Sequence, residues 1–143
     1  TAYEMVLRDW SSDVCSSDLR APVNNYIIGF PAGLADSDDI AAEALRELRE
    51  ETGYHGKVIN ISPPLKSNPA LLDDKFYVVM VEVDEEDSKN QNPVQKLEPS
   101  EDIEVFLVKP SQVASFLEEQ IAQGIDIGVG PWYAFVFNRQ ELR

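Results

Sequence analysis

Residues 33–54 read GLADSDDIAAEALRELREETGY, and this stretch decides the fold. On a helix, Ile40, Ala41, Ala44, Leu45, Leu48 and Thr52 share one face, which needs a sheet to pack against. The helix is expected from about residue 38 to residue 52. Asp36 and Ser37 are candidate N-caps, acidic residues fill the first turn, and Gly53 is the C-terminal stop. Asp39, Glu43, Glu47 and Glu51 follow one another at i, i+4 along a second stripe, with Glu50 beside Glu47. Like charges so spaced repel by roughly 0.2–0.5 kcal/mol per pair, and solvated faces normally mix signs. Glu47 and Glu51 have no Lys or Arg at i±3 or i±4; by that rule Arg46 reaches only Glu43 or Glu50, at the edge of the patch. Hard divalent cations take oxygen ligands, so the stripe is a candidate Mg²⁺ site. Helical spacing alone is equally compatible with an acidic face that binds nothing.

Elements alternate outward from this helix. Residues 26–30 form a short apolar strand, broken by Pro31-Ala32-Gly33. Residues 57–61 read as a strand closed by Ser62-Pro63-Pro64, and 76–83 as a β-branched strand deep in a sheet. Residues 84–99 are polar and charged, a surface loop. Residues 103–108 are a strand, 111–123 a helix capped by Ser111, and 131–142 a last helix with Trp132, Phe135 and Val136 facing the core. The order of elements predicts an α/β sandwich.

Composition bounds the partners. With 143 residues and 43% hydrophobic content, one domain with a real core is expected. The formal charge of −14 repels nucleic-acid phosphates and anionic lipid, so neither nucleic acid nor membrane is an expected partner. A small phosphorylated substrate is compatible if cations mask the carboxylates. The absence of a long apolar run, a leader or more than one cysteine predicts a cytoplasmic location.

Residues 9–19, DWSSDVCSSDL, show neither helical nor strand periodicity and repeat Ser-Ser-Asp. The string looks like the conceptual translation of a short-read sequencing adapter. It is expected to be a non-native insertion that replaced true coding sequence, leaving residues 1–8 as a remnant of the N-terminal strand region and 20–143 as the domain.

Arg46-Glu47-Leu48-Arg49-Glu50-Glu51-Thr52-Gly53-Tyr54 resembles the core of the Nudix box, Arg-Glu-apolar-x-Glu-Glu-x-Gly-apolar, at every defined position. The resemblance implies a Nudix-type α/β/α sandwich with a mixed sheet, its N-terminal strands incomplete. It implies Glu47, Glu50 and Glu51 as ligands of Mg²⁺ (or Mn²⁺), the Ala32 carbonyl as a further ligand, and Arg46 orienting Glu50. Gly33 to Arg46 is one residue shorter than the family spacing, so the first acid is Asp38 or Asp39.

Arg20-Ala21-Pro22, Phe30-Pro31-Ala32-Gly33-Leu34, Ser62-Pro63 and Asn68-Pro69 resemble the ADP-ribose and ADP-sugar pyrophosphatase branch. Gly29 and Ala70 depart from it, standing where that branch carries Glu and Gly. The branch resemblance implies Mg²⁺-dependent hydrolysis of an ADP-sugar to AMP and a sugar phosphate, in a homodimer when intact. Arg20 and Leu34 would bind substrate, and Tyr3, in a stretch like the branch's aromatic-Glu strand, would stack on adenine across the dimer. Glu50 and Glu101 are the catalytic candidates. Glu98 and Glu104 are alternatives to Glu101 as base, whereas His55 reads as a turn residue at the helix end. A non-catalytic sensing module and a pyrophosphatase for another nucleoside diphosphate are the alternative functions.

Overall fold

The computed structural model describes residues 2–8 and 13–137, with side chains from 14 to 134. Its elements are β1 (Ala2–Arg8), β2 (Asp13–Arg20), β3 (Asn25–Gly29), β4 (Ala32–Leu34), α1 (Ile40–Thr52), β5 (Gly56–Ile61), β6 (Phe76–Val83), β7 (Ile103–Val108), α2 (Val113–Ala122), β8 (Asp126–Ile127) and α3 (Val129–Phe137). They form two compact units: β1 with Pro31–Lys96, and β2 and β3 with the chain from Leu97 onward.

In the first unit four strands run in the order β5-β6-β1-β4. The β5–β6 and β1–β4 pairs are antiparallel and β1–β6 is parallel, so the sheet is mixed as expected. Helix α1 lies against it because Ala44 and Leu48 form an apolar stripe, and both are fully buried together with Val79 and Val81 of β6. Removing each larger side chain of this set from water stabilises the unit by roughly 1.5–3 kcal/mol.

In the second unit the order is β7-β2-β3-β8. Strand β2 pairs antiparallel with both β3 and β7, Cys15 standing opposite Phe106 and Ser17 opposite Ile28. Val14, Cys15, Ile28, Val108, Val113 and Leu117 form the core, and the Phe106 and Phe116 rings pack 5.2 Å apart.

Several sequence expectations are corrected. The stretch without strand periodicity contributes the paired strand β2 from Asp13. Val14, Cys15, Ser16 and Ser17 are all buried, so this strand is covered on both faces; alternation disappears there, and small side chains fit. Helix α1 starts at Ile40 behind an Asp39 cap, not at residue 38 behind Asp36 or Ser37. The later helix begins as a 3₁₀ turn over Pro110–Gln112, with no side-chain cap from Ser111. Trp132 is 47% exposed because α3 turns Pro131 inward instead; the side chains of Phe135 and Val136 lie outside the described residues.

Candidate active site

The ends of α1 are set by local chemistry. Asp39 accepts the Ala42 N–H at 3.0 Å, satisfying a donor that a helix start leaves bare. Ser37 Oγ donates to Glu43 Oε1 at 2.9 Å, tying the preceding loop to the first turn. At the other end Gly53 adopts φ 78°, and its N–H closes on the Arg49 carbonyl at 3.0 Å.

Between these caps one guanidinium gathers three carboxylates. Arg46 donates to Glu50 at 2.7 Å, to Glu47 at 2.9 Å and to Glu43 at 3.0 Å. The expectation that Arg46 serves only Glu43 or Glu50 is therefore too narrow. Its long side chain folds back to the adjacent residue, which the i, i+3 and i, i+4 rule does not anticipate. The hydrogen bond from Arg46, and second that from Ser37, holds the Glu43 carboxyl below the ordinary carboxylate value. Arg46 is correspondingly pushed above its already high value, its bond to Glu43 contributing most.

Two further contacts bring the β4 loop to the helix. The Ala32 N–H donates to Glu51 Oε2 at 3.3 Å, and Glu51 is only 5% exposed. Gly33 lies so close to Glu47 that a Cβ there would stand 2.5 Å from Oε1. Ala32, Gly33, Glu47 and Glu51 are thus brought together, with Glu50 linked through Arg46. Leu34 ends β4 and is 70% exposed. Tyr3 is placed opposite Gly33 in the β1–β4 register, its side chain lying outside the described residues. Among the described residues, no three His, Cys, Asp or Glu side chains are gathered closely enough to hold an ion by themselves.

Arg20 and Glu101 belong to the second unit. Arg20 pairs with Asp18 at 2.8 Å and is itself more than half exposed. Burial raises the Asp18 carboxyl, Arg20 opposes this, and Glu101 and Asp102 add to it. The Glu101 carboxylate accepts the Glu98 N–H at 2.8 Å, closing its own turn, while Glu98 and Glu104 are exposed. The Tyr26 hydroxyl donates to Asp102, and this bond raises the tyrosine above its ordinary value. His55 is exposed, in the short connection between α1 and β5. Asp18 lies in the segment expected to be a non-native insertion. Gln95, which bonds the Glu51 carbonyl in the last turn of α1, and Asn90, which bonds His55 after the helix, carry no sequence signal beyond a polar loop.

The pattern of the NUDIX domain matches residues 14–127, most of the chain. The chain belongs to the Nudix family. Over 91 residues it is 47% identical to the ADP-ribose pyrophosphatase of Saccharomyces cerevisiae, an alignment covering 63% of this chain and 39% of the relative. The ADP-sugar pyrophosphatase of Mus musculus is 36% identical over 100 residues, covering 69% and 46%. A crystal structure of an ADP compounds hydrolase superposes with a TM-score of 0.62 at 20% identity, covering 82% of this chain and 60% of that one, a likeness of fold. This Nudix chain spans 39% to 57% of the length of the curated relatives it matches. No helix among its described residues is long and apolar enough to cross a membrane.

Proposed function

We propose that this Nudix domain hydrolyses the pyrophosphate bond of ADP-ribose or a related ADP-sugar, releasing AMP and a sugar phosphate. The observation that carries the reading is the meeting of Glu47 and Glu51 with the Ala32–Gly33 backbone at one end of the box helix. The names of the yeast and mouse relatives support the substrate class.

The donor set suits a hard divalent cation, because every side chain in it offers carboxylate oxygen, and only glycine at position 33 leaves the space beside Glu47. Glu47, Glu50 and Glu51, with the Ala32 carbonyl, would hold Mg²⁺, for which Mn²⁺ would substitute. Bound there, the cation would neutralise the diphosphate and make a water more acidic. Arg46 would keep three carboxylates in place without touching substrate. Glu101 would accept the proton of the attacking water, with Glu50 as a second catalytic carboxylate. Arg20 would exchange Asp18 for a substrate phosphate, Leu34 would border the sugar, and Tyr3 would stack on adenine in a homodimer.

The test is chromatographic detection of AMP after incubation with ADP-ribose and Mg²⁺. Chelation should abolish release, and Glu51→Gln should lower it by roughly a hundredfold or more. Tight binding of ADP-ribose without turnover would replace the enzyme with a sensing module.

A further inference from the structure

A helix leaves its last four carbonyls without partners of its own, and the last turns of α1 carry Glu47, Glu50 and Glu51. Three of them are taken up here. The Gly53 N–H donates to the Arg49 carbonyl at 3.0 Å, while Thr52 Oγ1 adds a bond to the carbonyl of Leu48, one position before the last four. The next two are served by a distant segment: the Lys96 N–H donates to the Glu50 carbonyl at 2.7 Å, and Gln95 Nε2 donates to the Glu51 carbonyl at 2.7 Å. The segment is pinned at its other end by buried Asn90. That side chain accepts the His55 N–H at 2.7 Å and donates to the carbonyls of His55 and Asp84. Between the two anchors, Pro93 and Val94 pass directly over Gly53.

We infer that residues 84–96 are a strap that positions the cation-binding carboxylates, with Gln95 as its positioning side chain. Helix ends fray, and fraying of this last turn would displace Glu50 and Glu51 together. By bonding the carbonyls of those same two residues, the strap fixes the backbone from which both carboxylates project. Gln95 is exposed, and Lys96 and Gly53 still bond the neighbouring carbonyls, so the fold survives its loss. What changes is the placement of the carboxylates. The assignment rests on reading Glu47, Glu50 and Glu51 as cation ligands.

The experiment compares the full chain with Gln95→Met, which keeps length but donates nothing, and Gln95→Lys, which restores a donor suited to the negative end of a helix. Two quantities are read: amide hydrogen exchange at residues 52–54 without metal, and Mn²⁺ affinity from the paramagnetic resonance of the free ion. Gln95→Met should exchange faster at those amides and bind Mn²⁺ about tenfold more weakly, with an unchanged circular dichroism spectrum. Gln95→Lys should recover both. Unchanged Mn²⁺ affinity in Gln95→Met, with or without faster exchange, would overturn the strap's role. A wild-type chain that binds no Mn²⁺ would overturn the reading of the carboxylates themselves, an outcome separable because the exchange difference would persist.

Discussion

Gly33 and Glu47 are in contact: a Cβ on Gly33 would stand 2.5 Å from Glu47 Oε1 and 2.8 Å from its Cγ. The loop entering the box therefore fixes where this carboxylate sits. Gly33→Ala should push the Glu47 side chain aside. Because the far end of a side chain yields more readily than backbone, the stability cost should be small, about 1 kcal/mol. Cation affinity should fall about tenfold, since a ligand loses its seat. A thermal melt and a Mn²⁺ titration on the same variant separate the two effects; unchanged affinity would remove Glu47 from the site.

Arg46 bonds Glu43, Glu47 and Glu50 together, so Arg46→Met should remove a positive charge that three neighbouring carboxylates share. Its stability at neutral pH should fall by about 1 kcal/mol, the contacts being partly exposed. The pH dependence carries the sign. Glu43 is depressed in the folded chain below its ordinary 4.5, chiefly by Arg46. Its contribution is full above 4.5 and is lost as pH falls through the lower folded value. Wild type and Arg46→Met should therefore differ most near neutrality and converge in acid. Parallel melting curves across that range would contradict this.

How much of this was legible follows from where each signal resides. Strands β6 and β7 fall on the residues that their apolar β-branched runs predict, and Gly53 ends α1 as expected. The box glutamates were found because their spacing is local. Strand β2 was not, since a strand buried on both faces shows no alternation and Ser16 and Ser17 give no apolar signal. The bonds from Gln95 and Lys96 to the end of α1, and from Asn90 to His55 after it, link residues that are tens of positions apart, and a polar loop does not advertise its tertiary partner. The Asp39 cap was missed because Asp36, Ser37, Asp38 and Asp39 are all capping residue types, among which local sequence does not choose.

Asp18 offers a prediction of opposite sign. Burial raises its carboxyl above the ordinary 3.8, and the attraction of half-exposed Arg20 does not compensate. An acid whose folded value is raised binds its proton more tightly when folded, so stability falls as pH rises from 3.8 through the folded value. Asp18→Asn should thus be more stable than wild type at neutral pH, the gap closing below 3.8. Denaturant titrations at pH values on either side of that range measure it. A less stable Asn variant at neutrality would show that the Arg20 pair outweighs desolvation.

Gly53 and Gly124 permit a matched comparison, because both end helices with positive φ, 78° and 80°. Any side chain at either position costs about 1–2 kcal/mol for the left-handed backbone. At Gly124 nothing lies within 4 Å of an added Cβ, so Gly124→Ala should cost that amount and no more. At Gly53 an added Cβ would meet Val94 N at 2.3 Å and the Pro93 carbonyl carbon at 2.8 Å. Backbone cannot swing aside as a flexible side chain does, so the strap itself must lift. Gly53→Ala should then cost roughly 3 kcal/mol or more, and Mn²⁺ affinity should fall with it. Gly124→Ala should leave affinity unchanged. Chemical denaturation of both variants, each paired with a Mn²⁺ titration, decides the matter: equal costs and equal affinities would mean that residues 93–94 do not press on the end of the box helix.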